Sequence, residues 1–139
     1  MADETADDLT RVLYGLMPFA RTLGIAVLRY ESAEVRARLA WAPELCTAGG
    51  VLHGGVLMAL ADSTGGACAY LNLPEGAQGT TTVESKTNFI RAVRGGAVAS
   101  VSRPVHIGRT LIVVETDVRD ERDRLVVRTN QTQLVLSGG

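Results

Sequence analysis

The residues best suited to chemistry lie in one stretch, residues 49–70, which reads GGVLHGGVLMALADSTGGACAY. In it, a lone His53 stands between two glycine pairs, and the apolar run that follows contains a single charged residue, Asp62. An acid within an otherwise apolar helix is costly to bury, so it usually has a partner or a function. Asp62 is therefore our first candidate for a catalytic group, either as a general base that deprotonates a water or as a nucleophile. A structural salt bridge is the alternative for this residue.

Gly54 is placed where this apolar helix should begin. The first N–H groups of a helix lack backbone partners and carry a partial positive charge, and glycine lets a ligand approach closely. The Gly54 N–H could therefore stabilise an oxyanion formed on a carbonyl group. Gly54 and Asp62 lie eight residues apart, which is about 12 Å along a helix. One carbonyl cannot contact both, so we expect a site shared by two chains in a two-fold dimer.

His53 has two interpretations. Its ring either orients the loop or touches the substrate, or it is a structural histidine whose hydrogen bonds fix the chain where it enters the helix. A metal-binding role is not expected, because the only other histidine is His106 and no Cys-x-x-Cys or His-x-x-x-His spacing occurs.

Four further side chains near this stretch could react, but each has a simpler explanation. Ser63 and Thr64 follow Asp62, and as helix residues they either hydrogen-bond to the preceding turn or line a pocket. Cys46 and Cys68 are expected to pack as small apolar residues rather than to act as nucleophiles.

The composition restricts the class of protein. With 139 residues, 46% of them hydrophobic, the chain fits a single domain over residues 1–139 with a sizeable core. The net charge of −1 argues against a general nucleic-acid binder. No apolar run reaches the roughly 18 residues of a membrane helix. The acidic start, MADETADD, lacks the order of a signal peptide, and we expect residues 1–8 to be flexible and the protein to be cytoplasmic.

The elements that must position these residues follow from hydrophobic periodicity. Apolar residues at helical spacing from about Thr5 predict a short helix, which Pro18 ends or kinks. A loop is predicted over residues 43–50, and a long central helix over residues 54–71. Strands are predicted over residues 22–30, 34–41, 80–91, 97–106, 109–119 and 124–136. The short links between the last four favour neighbouring antiparallel strands. The predicted fold class is α+β, with a six-stranded antiparallel sheet wrapped around the central helix.

Small residues in the central helix support this arrangement, because they let a sheet approach closely. They include Gly65 and Gly66, each of which costs about 1 kcal/mol relative to alanine inside a helix. Their presence suggests a requirement for packing or access. The alternative is that the helix breaks at this point.

Together these residues resemble a known family. Gly50, His53, Gly54, Gly55 and Asp62 form a G-x-x-H-G-G motif with an acid nine residues after the histidine. The segments TTTVESKTNFIRAVRGG and DERDRLVVRTNQTQLVL follow. Over roughly residues 23–136, the sequence resembles the hotdog-fold acyl-CoA thioesterases of the phenylacetate-degradation and 4-hydroxybenzoyl-CoA type.

The resemblance implies a hotdog fold, a homodimer with joined sheets, a second pairing into a homotetramer, and hydrolysis of acyl-CoA without metal or cofactor. It assigns the catalytic acid to Asp62 and the N–H that polarises the thioester carbonyl to Gly54, beside His53 and Gly55. Thr47 stands where the family often has Asn or Gln. The hydroxyl that helps hold water in some members falls near Thr82.

An acyl-CoA substrate needs further contacts. Its phosphates call for basic residues, and among those at predicted strand ends or turns we favour Arg91 and Arg109 over Arg94 and Arg103. A solvated surface charge is the alternative for each. Three residues are expected to line the acyl pocket or to pack in the core: Leu57, Met58 and Tyr70.

The expected activity is hydrolysis of an aryl- or medium-chain acyl-CoA. Two alternatives stay open at this point. One is an acyl-thioester dehydratase or hydratase on the same fold, although such enzymes pair a catalytic histidine with an acid in different motifs. The other is a non-catalytic acyl-CoA-binding or regulatory module, which would keep the pocket but would not need Asp62.

Overall fold

Two helices begin the chain. In the computed structural model, which describes residues 2–138, α1 spans Ala2–Leu16 and α2 spans Pro18–Leu23. Pro18 occupies the first turn of α2, where its missing N–H costs nothing. The helix ends at Leu23, and Gly24 caps it in the left-handed conformation with a φ of 72°. Gly24 N–H donates to Arg21 O, and the left-handed turn at Gly24 lets the following Ile25 N–H donate to Ala20 O, both at 3.0 Å.

Two expectations for this region need correction. Helix α1 begins at Ala2, before the expected start near Thr5. Residues 22 and 23, expected in a strand, close α2 instead, because the left-handed cap at Gly24 delays the extended conformation. Met1 lies outside the described residues, and the flexibility expected for residues 1–8 stays a prediction.

The remaining elements form one antiparallel sheet and one long helix, α3, which spans Gly54–Tyr70. Two short 3₁₀ turns, Pro43–Leu45 and Ala48–Gly50, occupy the predicted loop. The strands are β1 Ala26–Glu31, β2 Glu34–Ala40, β3 Ala77–Phe89, β4 Ala97–Ile107, β5 Leu111–Asp120 and β6 Leu125–Ser137. Their order is β1-β2-β4-β5-β6-β3. The six-stranded sheet around a central helix confirms the expected hotdog fold.

The position of β3 differs from the expectation that the last four strands are sequential neighbours. β3 pairs only with β6 and forms one edge of the sheet. After β3, the N–H groups of Ile90 and Arg91 donate to Val126 O, and Leu52 N–H donates to Val93 O. These hydrogen bonds hold the segment between β3 and β4, residues 90–96, against β6 and the loop before α3. A short connection here therefore joins two strands that do not pair.

The core lies between α3 and the concave face of the sheet. Leu57, Leu60 and Cys68 of α3 are buried, and so are three residues that alternate with exposed ones along β2: Val35, Ala37 and Leu39. Burial raises the pKa of the Cys68 thiol to about 11, which agrees with a packing role.

The helix does not break at its glycine pair. A Cβ on Gly65 would lie 1.9 Å from Gln131 Oε1, whereas the nearest atom to a Cβ on Gly66 is Met17 Cε at 3.8 Å. Only Gly65 is therefore required by packing against the sheet. Next to it, Thr64 Oγ1 donates to Leu60 O at 3.0 Å, as expected for a helical threonine.

Among residues 2–138, none of the helices combines the length and the apolar character needed to cross a membrane.

Candidate active site

Asp62 lies in the middle of α3, and its side chain contacts strands β3 and β6. Its side chain is exposed and borders a cavity of about 450 Å³, which we call the Asp62 cavity. Further residues that line it are Leu16, Met17, Tyr30, Gly66, Ala67, Tyr70, Thr80, Thr81, Thr82 and Gln133. The carboxylate is therefore accessible to a small molecule beside a partly apolar pocket.

Only one oxygen of Asp62 is held by the protein. Oδ1 accepts hydrogen bonds from Thr82 Oγ1 at 3.2 Å and from Gln131 Nε2 at 3.1 Å. The Thr82 hydroxyl in turn accepts a bond from Gln133 Nε2 at 2.6 Å, which leaves its proton for Asp62. Within residues 2–138, Oδ2 has no hydrogen-bond donor. It is free to accept a proton from a water.

Thr82, which the family resemblance indicated, contacts Asp62, whereas the sequence analysis missed the two glutamines. Gln131 and Gln133 lie on β6, and their exposed fractions are 0% and 1%. The available signal was the period of two along β6, since both residues share the inward face with Thr129 and Val135. Polar residues at inward positions need partners, and Asp62 with Thr82 supplies them.

His53 occupies the N-cap of α3. Its Nδ1 accepts a hydrogen bond from Gly55 N–H at 2.8 Å, so the proton of a neutral ring is on Nε2. This contact matches the structural interpretation of His53, and it engages the N–H of Gly55. In the part of the chain that the structure describes, the Gly54 N–H has no acceptor. Gly54 can therefore donate to a ligand.

Gly54 lines a second cavity of about 360 Å³, which we call the Gly54 cavity. Thr47, Arg91 and Phe89 are among its other lining residues, and a Cβ on Gly54 would lie 3.1 Å from Phe89 Cε1. The Gly54 and Asp62 cavities have no lining residue in common. Within one chain, the two proposed catalytic groups therefore serve different pockets, in agreement with their separation along α3.

The four arginines considered for contact with CoA phosphates do not lie around one cavity. Arg91 borders the Gly54 cavity, whereas Arg109 lines a third cavity with residues of the β3 and β6 ends. Arg94 Nη1 donates to Gly49 O at 3.0 Å. Arg103 lies 2.9 Å from Glu34 on the outer face of the sheet.

The residues considered for an acyl pocket also separate. Tyr70 is 47% exposed and lines the Asp62 cavity, Leu57 is buried beside the Gly54 cavity, and Met58 is 42% exposed on α3. Tyr30, which the sequence did not indicate, faces the Asp62 cavity with Tyr70. Burial is the main cause that raises the pKa of the Tyr30 phenol, so its hydroxyl stays protonated.

Among residues 2–138, no group of three or more His, Cys, Asp or Glu side chains could hold a metal ion.

Comparison with known proteins gives a consistent result. The sequence model of the thioesterase superfamily matches residues 49–127. A 1,4-dihydroxy-2-naphthoyl-CoA hydrolase of Escherichia coli is 36% identical over 87 residues, which cover 63% of each chain. The crystal structure of a thioesterase from Haemophilus influenzae superposes with a TM-score of 0.86 at 27% identity, covering 95% of this chain and 90% of that one. A hypothetical thioesterase of Streptococcus pneumoniae, solved with coenzyme A, has a TM-score of 0.74 at 22% identity and covers 81% and 86%.

Proposed function

This chain belongs to the thioesterase superfamily and is a thioester hydrolase with the hotdog fold, and from that premise we propose that its substrate is an aryl- or medium-chain acyl-CoA. The products are the free acid and CoA. The observation that carries the proposal is the Asp62 carboxylate, held through Oδ1 by two donors while Oδ2 has no donor within residues 2–138.

In the general-base mechanism, Asp62 Oδ2 takes a proton from a water whose oxygen bonds to the thioester carbonyl carbon. The Gly54 N–H of the partner chain donates to the carbonyl oxygen as it becomes an oxyanion. The C–S bond then breaks, and the proton on Asp62 passes to the departing sulfur of CoA. In the covalent alternative, Asp62 attacks the carbonyl itself, the C–S bond breaks, and water cleaves the resulting anhydride.

The reaction requires two chains, because Gly54 and Asp62 serve separate cavities in one chain. A homodimer with β3 beside its counterpart is supported by the position of this 13-residue strand at the sheet edge. Exposed apolar residues on or just after β3 support the same surface: Val83, Phe89 and Ile90. A pair of such dimers would form the tetramer.

The Asp62 cavity suits the acyl group. Its volume of about 450 Å³ and its lining by Met17, Tyr30 and Tyr70 fit a ring or a chain of medium length. The E. coli relative, named for an aryl-CoA substrate, supports an aryl group.

Arg91 is the better candidate for a CoA phosphate, because it borders the Gly54 cavity and Arg109 does not. We expect no metal or prosthetic group to take part, and we expect the free thiols Cys46 and Cys68 to reflect a cytoplasmic location.

Release of the CoA thiol across a panel of aryl-, medium- and long-chain acyl-CoAs tests the function. We expect turnover with aryl or medium-chain substrates, and a loss of at least about 100-fold in kcat for Asp62→Asn, because the amide cannot accept the proton. Ser100→Ala, a change in the buried core away from both cavities, is the control.

Two outcomes would contradict the proposal. Tight binding of acyl-CoA without thiol release would favour the binding module, and addition or removal of water across a carbon–carbon bond would favour the hydratase or dehydratase. Full turnover by Asp62→Asn would refute the catalytic assignment of this residue.

A further inference from the structure

We propose that Gln131 is a positioning residue that holds the Asp62 carboxylate in its reactive orientation, and that residue 65 is glycine because the Gln131 amide occupies the space of its side chain. This inference rests on the proposed catalytic role of Asp62. Gln131 lies on β6, 69 residues from Asp62 in sequence. Its contact with α3 is therefore a tertiary one.

The orientation of the Gln131 amide follows from its partner. Nε2 lies 3.1 Å from Asp62 Oδ1, and a carboxylate can only accept a hydrogen bond when it is ionised. The nitrogen must therefore face Asp62, and the oxygen Oε1 must point away from it. Because the Gln131 side chain is 0% exposed, water can approach this bond only from the side of the exposed Asp62 carboxylate. A buried donor to an anion is stronger than the same donor at the surface.

The oxygen of the same amide is in an unfavourable environment. Gln131 Oε1 is buried and, among the described residues, has no hydrogen-bond partner. An acceptor left without a donor in a core destabilises the fold, so an apolar residue of similar size would be the more stable choice here. A glutamine that satisfies Asp62 and leaves its own oxygen unpaired is explained better by function than by stability.

Gly65 provides the space for this amide. A Cβ at position 65 would lie 1.9 Å from Gln131 Oε1 and 2.8 Å from Gln131 Cδ, and both distances are far below van der Waals contact. Gly66, next in the helix, meets nothing nearer than 3.8 Å. Glycine is unfavourable inside a helix. At position 65, three residues after Asp62, it is needed because any side chain would overlap the Gln131 amide.

The second donor to Asp62 explains why two contacts are needed. Thr82 Oγ1, itself held by Gln133, donates to the same oxygen Oδ1. With one donor, the carboxylate can rotate about that single bond. With two donors from different strands, β3 and β6, its plane is defined and Oδ2 points consistently to the same place. Gln131 therefore sets the direction in which the base or nucleophile acts.

The first experiment measures kcat and KM of Gln131→Met, which keeps the side-chain volume but removes the hydrogen-bond donor. We expect kcat to fall about 10- to 100-fold with KM changed by less than about threefold, because the base is misdirected while substrate contacts stay. Ser100→Ala removes another buried, unpartnered polar atom from the same sheet and should change neither.

The second experiment is a double-mutant cycle. Gly65→Ala should lower kcat in the wild-type background by displacing the Gln131 amide, and it should have no further effect in a Gln131→Ala background, where that amide is gone. Equal losses in both backgrounds would overturn the inference, because Gly65 would then act independently of Gln131. Melting temperatures identify any variant that fails to fold.

Gln131→Glu covers the case in which Gln131→Met does not fold. Its protonated carboxyl can still donate to Asp62, whereas its ionised form repels it, so activity relative to wild type should fall as the pH rises. A ratio that does not change with pH would count against positioning. If Asp62→Asn is inactive while all Gln131 variants retain full kcat, this inference fails alone. If Asp62→Asn is fully active, the proposed function fails with it.

Discussion

At the scale of single residues, the neighbours His53 and Gly54 at the N-terminus of α3 have different roles: His53 caps the helix, and Gly54 leaves its N–H available. His53 Nδ1 accepts from Gly55 N–H, and the Gly54 N–H has no acceptor in the described chain. The histidine therefore satisfies one of the unpaired donors of the helix, and the first helical N–H is left for a ligand. Gly54 is half-buried against Phe89, which limits access from one side.

If the role of His53 is that of a cap, a capping side chain of different chemistry should replace it. We expect His53→Asn to keep the free energy of unfolding within about 0.5 kcal/mol and His53→Ala to lose about 1 kcal/mol. Both variants should keep kcat within about threefold. Thermal or urea unfolding and the thiol-release assay measure these effects. A stable His53→Asn protein with a large loss of kcat would assign the ring to substrate instead.

At the scale of elements, the outer face of the sheet is stabilised by charged pairs between neighbouring strands. Asp117 of β5 lies opposite Arg128 of β6 and receives two hydrogen bonds from it, at 2.7 and 2.8 Å. The guanidinium of Arg128, through these bonds, is the main cause that lowers the pKa of the Asp117 carboxyl. The pair joins strands whose inward residues include Gln131, so it supports the register on which the site depends.

We expect Asp117→Asn to lower the free energy of unfolding by about 1 kcal/mol at neutral pH, because 43% of the Arg128 side chain is exposed and solvent weakens the pair. A carboxyl with a lowered folded-state pKa stabilises the fold above its unfolded pKa of about 3.9 and loses that contribution as the pH falls. The difference between wild type and variant should therefore be constant from pH 5 to 8 and shrink below about pH 4. Urea unfolding across this range measures it. A difference that grows on acidification would contradict the assignment.

At the scale of the whole molecule, the two proposed catalytic groups lie in separate places in one chain. Asp62 and Gly54 line different cavities, and β3 is an edge strand that leaves one side of its backbone unpaired. A two-fold dimer that pairs this edge with its counterpart would bring Gly54 of each chain to Asp62 of the other, which gives two complete sites. The proposed activity therefore depends on association.

Mixed dimers test this dependence. Asp62→Ala removes the carboxylate, and Gly54→Pro removes the N–H at a position where proline is tolerated in a helix. Each variant alone should be inactive. Heterodimers should regain up to one working site, or about half of the wild-type activity per dimer. Activity is measured on heterodimers purified with two different tags. No recovery in verified heterodimers would argue against shared sites.

Local sequence patterns were sufficient to predict most of the helices and strands of this protein. The period of two in β2 and the apolar run of α3 correspond to single elements, and α3 begins at Gly54 as predicted. Such signals come from neighbours in sequence, because side-chain periodicity reflects which face of one element is buried. The same reasoning failed at Leu23, where a glycine cap outweighs the strand-like composition, and at β3, whose partner is not its sequence neighbour.

The sequence by itself therefore determined most of the helices and strands, and it singled out Asp62 and Gly54 by their local patterns, whereas Thr82 came from the family resemblance. Only the tertiary structure brought Gln131 and Gln133 to the carboxylate, assigned the space beside Gly65 to an amide, and separated Arg91 from Arg109. These contacts join α3 to strands that lie far from it in the chain. Their distances depend on how the sheet curves around the helix, and no spacing within a segment encodes that.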